Sequence, residues 1–161
     1  DLPILYLSRF IIQRKGDYYR LLQEVRDNGH WEDWVIYMLE GIEQTAKQTI
    51  FVIGEIRALM QDYKHRIRQQ FPKIYNQDLL NNLFKHPYTK IEFVMEDLQV
   101  TRLTATKYLN ILVEAGFLKK QKIGVSNFYI NEPLFLLLKD GSIINQKTDP
   151  IKTVHPISHN E

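Results

Sequence analysis

The chain has no cysteine, which excludes disulfides and thiolate metal sites. That suits a reducing compartment, and a cytoplasmic location is the expectation. Glycine and proline are scarce, seven and six in 161 residues, and the glycines are scattered. No glycine-rich loop is therefore present to cradle a phosphate. No apolar run approaches the ~20 residues that a membrane-spanning helix needs, and no membrane partner is expected. Neither sign of charge dominates: 21 Lys and Arg stand against 19 Asp and Glu, a formal net charge of +2. That is too little to imply a polyanionic partner by itself. None of the five histidines lies in an HExxH motif or in H-x3-H spacing beside carboxylates. His155 and His159 are four apart, but they fall in a proline-containing stretch that reads as solvated. No metal site is expected. The N-terminus lacks both a starting Met and the basic, apolar, small-residue order of a signal peptide. "DLPILYLSRFII" opens inside a helical apolar pattern, so the chain is expected to be a fragment of a longer protein.

What is present is an ordinary globular composition, 44% hydrophobic and 25% charged, long enough for one or two small domains. Residues 2–13 predict a short, very apolar helix. In "GDYYRLLQEVRDNG", Asp17 is a candidate N-cap, Tyr18, Leu21, Leu22 and Val25 form one face, and Asn28-Gly29 end the helix. Residues 31–70 contain no proline. Val35, Ile42, Thr49, Ile56 and Tyr63 recur every seven residues, and so do Leu39, Ala46, Ile53, Met60 and Ile67. Alternating spacings of four and three are those of a helix packed along a seam, within a bundle or between copies of the chain. Gly41 and Gly54 weaken that pattern, by roughly 1 kcal/mol each against alanine. Trp31 and Trp34 read as packing anchors. The basic group Lys64, His65, Arg66 and Arg68 reads as a solvated helix face.

Phe71-Pro72 breaks the long pattern and sets a domain boundary. Ile74, Leu79, Leu80, Leu83 and Phe84 predict a helix ending before Pro87. "TKIE" places Thr89 as a cap with Glu92 three residues later. A turn at Gln99-Val100 leads to Thr101 as N-cap of a helix over 102–115. On that helix Ala105, Leu109 and Leu112 share one face and Arg102, Thr106, Lys107 and Asn110 the opposite one. Gly116 stops it. "LKKQKIGVSNFYIN" is a hairpin signal around a small turn, in which Tyr129 and Phe128 read as core residues. The order is that of a winged helix-turn-helix over 73–131. A short helix with Pro133 in its first turn and a polar tail follow over 132–161. The expected fold is mainly α: a helical bundle segment with a long helix, then the winged unit with its small hairpin.

The exposed donors Arg102, Thr106, Lys107 and Asn110, with Lys119, Lys120 and Lys122 at the wing, suit phosphates and base edges of duplex DNA. Yet residues 77–130 hold seven basic and five acidic side chains, a thin footprint for a DNA reader. Protein docking and DNA contact both remain open, docking being slightly favoured.

Residues 2–46, with LPILYLSR, the DYYRLL helix and a W-x-x-W before an apolar helix, resemble the stretch that follows the active-site motif in Fic-family proteins. "LTATKYLNILVEAGFL" with "GVSNFYIN" resembles the winged helix that many bacterial Fic proteins carry at the C-terminus. The resemblance implies an all-α catalytic domain that transfers AMP from ATP to a hydroxyl of a target protein. The family's signature is H-P-F-x-[DE]-G-N-G-R, whose His is general base and whose acidic residue binds Mg²⁺. "HPYTKIEFV" at 86–94 begins similarly but has no acidic residue at that place and no GNGR. The family's inhibitory S/T-x-x-x-E-G/N motif is also absent. No catalytic residue therefore carries over, and no activity is expected of this chain alone. ATP and Mg²⁺ are implied only for a catalytic domain lying upstream, which would be its first partner. A homodimer or a rearranged N-terminus is a further expectation, because the apolar helix over 2–13 would lack the catalytic helices that cover it. The competing reading is a transcriptional regulator that dimerises through the long helix and binds DNA.

Overall fold

Proline-free and continuously periodic, residues 31–70 form one unbroken helix of 40 residues, about 60 Å long at the α-helical rise. The computed structural model describes residues 7–140. They run as α1 (Leu7–Gln13), α2 (Lys15–Asn28), α3 (Trp31–Gln70), α4 (Gln77–Lys85), β1 (Tyr88–Thr89), α5 (Ile91–Leu98), α6 (Arg102–Glu114), β2 (Lys119–Ile123), β3 (Ser126–Ile130) and α7 (Glu132–Asp140). The chain is mainly α, as its periodicity predicts. The first residues of the expected 2–13 helix, and the tail with His155 and His159, lie outside the described residues.

The long helix carries a hydrophobic core at each end. At its N-terminal end Phe10, Leu21 and Tyr37 pack with Leu7, Ile11, Tyr18, Trp34 and Met38. The Phe10 and Tyr37 rings are 5.0 Å apart between centroids, and the Tyr37 hydroxyl donates to the Arg14 carbonyl at 3.3 Å. At the C-terminal end Tyr63 and Ile67 enter a larger core with Leu79, Leu80, Leu83, Val94, Ala105, Leu109, Leu112, Phe117 and Tyr129. Over the first half of α3 the predicted seam is not the buried side: Val35, Leu39, Ile42 and Ile53 are exposed, with Ile50 also exposed, because α1 and α2 pack on the other side, at Trp34, Tyr37, Met38 and Gly41. Trp34 is a packing anchor and Trp31 is mostly exposed. The basic group near the end of α3 is partly engaged. Arg66 pairs with Asp62 at 3.0 Å and lies over the Phe117 ring, while Arg68 lies over Tyr75.

Local stops behave as read. Gly29 closes α2 at φ 70°, a left-handed conformation that favours glycine, and Gly116 follows α6 at φ 77°. Two caps differ from expectation. Asp17 sits inside the first turn of α2, whose N-cap is Arg14 with no side-chain bond. Thr89 does not cap α5, whose N-cap is Lys90. Thr89 instead belongs to a third strand. The sheet order is β1-β3-β2, all antiparallel, with Tyr88↔Ile130 and Thr89↔Tyr129 on one side of β3 and Lys119↔Ile130 through Ile123↔Ser126 on the other. The buried Thr89 hydroxyl donates to Asn82 Oδ1 at 2.7 Å, and Asn82 Nδ2 donates to Asp97 Oδ2 at 2.7 Å. That amide bond, with Lys85 adding to it, outweighs burial and holds the Asp97 carboxyl below its usual range. Tyr129 is fully buried. Phe128 points to the opposite face of the sheet, where it meets Tyr88 at 5.4 Å and the Lys90 ammonium.

A buried hub joins α3 to α4, to Phe117 after α6 and to the start of α7. The Tyr63 hydroxyl donates to the Phe117 carbonyl at 2.9 Å and lies 3.2 Å from Asn131 Oδ1. Asn131 Nδ2 donates to the Leu83 carbonyl at 3.2 Å, and its Oδ1 accepts from the Leu134 N–H at 3.2 Å. Burial, with Asp62 adding and Arg66 opposing, pushes the Tyr63 phenol up from 10.0 to about 12. The folded state therefore binds this proton more tightly than the unfolded chain. Its stabilising contribution is complete below pH 10 and is lost as pH rises through about 12. An alkaline titration followed by tyrosinate absorbance should show Tyr63 ionising late and together with unfolding, beside Tyr37, which burial also raises. Tyr63→Phe should reduce that late step by one tyrosine. If the wild-type chain shows no late ionisation, the hydroxyl is not held in this hub.

Candidate interaction face of the C-terminal unit

Helix α6 is placed by its own ends. Gln99 takes a left-handed turn at φ 53° to close α5, and the Thr101 hydroxyl caps α6 by accepting from the Thr104 N–H at 3.3 Å. Ala105, Leu109 and Leu112 are wholly buried on one side, as their spacing predicts. The small Ala105 is among the residues packed where α5, α6 and the sheet meet. The opposite face must then carry Leu103, Thr106, Lys107, Asn110 and Glu114, at spacings of three and four.

The seven candidate contact residues divide. The Arg102 guanidinium is paired with Glu92 on α5 at 3.1 Å. Beside that pair runs an open groove of about 510 Å³, lined by Glu92, Glu96, Gln99 and Arg102 among others. The Thr106 hydroxyl donates back to the Arg102 carbonyl at 2.7 Å, and Asn110 is half-buried. Lys119 is paired with Glu132 of α7 at 2.7 Å. Lys107, Lys120 and Lys122 are exposed and have no ion pair among the described residues. The Lys120 ammonium lies 5.7 Å from the centre of the Tyr129 ring.

Sequence reasoning passed over the apolar members of this surface. Leu103 is 82% exposed on the outer face of α6, and at the hairpin tip Val125 is 100% and Ile123 54% exposed. The signal for Leu103 was available, since it lies opposite the Ala105–Leu109–Leu112 stripe. The Arg102–Glu92 pair spans ten residues and depends on how α5 meets α6.

Among the described residues no group of three or more His, Cys, Asp or Glu side chains is placed to hold a metal ion, and no helix is long and apolar enough to cross a membrane. Residues 59–134 match the family model described as "Protein adenylyltransferase SoFic-like, C-terminal domain". The match begins in the last turns of α3, which share a core with α4 to β3, and ends at Leu134 beside the Asn131 hub. Over residues 59–134 the chain is therefore similar to a SoFic-like C-terminal domain, consistent with the C-terminal part of a Fic-family protein.

Proposed function

We propose that residues 73–131 are a winged helix-turn-helix that docks protein on behalf of an adenylyltransferase. In this reading the catalytic part lies outside residues 1–161 and transfers AMP from ATP to a hydroxyl of a target protein. ATP and Mg²⁺ belong to that part and not to any residue named here. The observation that carries docking is the make-up of the outer face of α6. It carries Leu103, exposed to solvent, Glu114 shares the face, and Arg102 is neutralised by Glu92. A phosphate-reading helix would offer free cations there instead. Three unpaired lysines are a thin footprint for a duplex, whose binding strength scales with phosphates neutralised.

Gel shifts with random and genomic duplexes at two salt concentrations test this. The expected result is weak retention without sequence preference, lost at physiological salt. A sequence-selective complex that survives physiological salt would overturn docking. In that case removing Lys107 or a wing lysine should weaken binding to all sequences alike. Removing Asn110 should relax base preference, by roughly 1–3 kcal/mol for a bidentate contact.

The uncovered apolar side of α3 is proposed as the seat of the catalytic part. Each buried Ile or Leu there contributes about 1.5–3 kcal/mol, so leaving Val35, Leu39, Ile42, Ile50 and Ile53 in water favours association. This chain by itself should bind an apolar dye or self-associate, measured by dye fluorescence and light scattering. A monodisperse monomer at high concentration without dye binding would sink the proposal. A dimer that persists when the upstream residues are restored would instead support the regulator that dimerises through α3.

A further inference from the structure

Strand β2 is an edge. The sheet order β1-β3-β2 leaves its outer side unpaired, and all five residues from Lys119 to Ile123 are exposed. Its partner across the hairpin is in register from Ile123↔Ser126 to Lys119↔Ile130. Only Gly124 and Val125 separate the strands, with Gly124 at φ 59°. In a two-residue hairpin the pair that closes the turn exchanges both backbone bonds, and bonded pairs alternate from there. Gln121↔Phe128 and Lys119↔Ile130 are then bonded pairs. The N–H and C=O groups of Lys120 and Lys122 point away from β3, and they have no partner among the described residues.

An open edge of this kind takes an extended segment by backbone bonding. The side chains say which kind. Lys120 and Lys122 are two residues apart, so both stand on one face of the sheet, and neither has an ion pair among the described residues. On the other face Ile123 is exposed beside Gln121. A second copy of β2 is a poor occupant, because it would set lysine against lysine.

We infer that the outer edge of β2 adds an extended acidic segment of a partner protein as a fourth strand. Carboxylates at alternate positions meet Lys120 and Lys122, and the apolar residue next beyond the one facing Lys122 stands on the other face and covers Ile123. This deepens the docking reading above and rests on it. It also gives the wing lysines a use that does not need phosphate.

The probe is a short capped peptide alternating glutamate and valine, added to the whole ¹⁵N-labelled chain. Its control is the same peptide N-methylated at alternate residues, which keeps the charge but cannot form the ladder. Amide exchange at Lys120 and Lys122 should slow by about tenfold or more with the first peptide and stay unchanged with the second. Lys120→Glu with Lys122→Glu should weaken binding by about tenfold or more, two attractive cross-strand pairs having become repulsive. Both positions are exposed, so an unchanged melting midpoint checks that the double variant still folds. Equal protection by the methylated peptide would mean charge attraction alone and would overturn strand addition. Peptide-induced shifts centred on Leu103, with no slowing at Lys120 and Lys122, would overturn strand addition while leaving protein docking intact. Sequence-selective displacement of the peptide by duplex DNA would overturn both.

Discussion

Asn131→Ala is expected to destabilise the C-terminal unit by about 2–4 kcal/mol, through a lost helix cap and a stranded buried carbonyl. Asn131 is 1% exposed and is the only element of the hub that touches α3, α4 and α7 at once. Truncation removes the acceptor that caps α7 at the Leu134 N–H. It also leaves the Leu83 carbonyl buried without that donor. The Tyr63 hydroxyl keeps the Phe117 carbonyl, so α3 should stay attached while α7 loosens. Denaturant unfolding monitored by far-UV circular dichroism measures the total loss, and amide exchange across Leu134–Leu138 locates it. An unchanged midpoint, or loss of protection spread evenly over α4 to α6, would mean that Asn131 does not organise this junction.

Gly41→Ala tests the other end of α3. A Cβ at Gly41 would stand 2.5 Å from Phe10 Cδ1 and 2.9 Å from Leu7 Cδ1. Phe10 is buried against Tyr37, so its ring cannot swing aside without breaking that core. Alanine gains about 1 kcal/mol of helix propensity over glycine, but overpacking costs about 1–3 kcal/mol. The net expectation is that α1 separates from α3 while the C-terminal unit keeps its stability. Trp31 and Trp34 are the chain's two tryptophans and both sit in this N-terminal part, so their fluorescence reports it selectively. Gly54→Ala is the matched control: nothing lies within 4 Å of its Cβ, and alanine there should stabilise α3. If the two substitutions behave alike, α1 does not cross α3 at Gly41.

These two sites show where local pattern reaches and where it stops. Gly41 and Gly54 look alike in the sequence, each an interruption of a heptad seam. Only the crossing of α1 distinguishes them, because the distance between helix axes is not written in either helix. The stripe Ala105–Leu109–Leu112 was legible, since three residues at helical spacing on a capped helix define their own inner face. Thr89 was misread because a Thr with Glu92 behind it satisfies the local rule for a cap. The two-residue strand Tyr88–Thr89 has no period of its own. It exists because β3 has a second open edge and because Asn82 offers the Thr89 hydroxyl a buried acceptor.

The candidate surface divides in the same way. That Lys120 and Lys122 share a face follows from strand alternation alone, and the exposure of Leu103 follows from the helical stripe opposite it. The pairings that remove Arg102 and Lys119 from the set of free cations join residues ten and thirteen apart in the chain. The sequence by itself determined the helices and the hairpin, the inner face of α6, the glycine stops and the resemblance to Fic-family C-terminal parts, because each of these is encoded within a turn or two of backbone or in a run of matching residues. Tertiary structure alone decided which cations stay free, which edge of the sheet stays open and which glycine is a crossing point. Each of those depends on what a second, distant element brings within hydrogen-bonding or van der Waals reach.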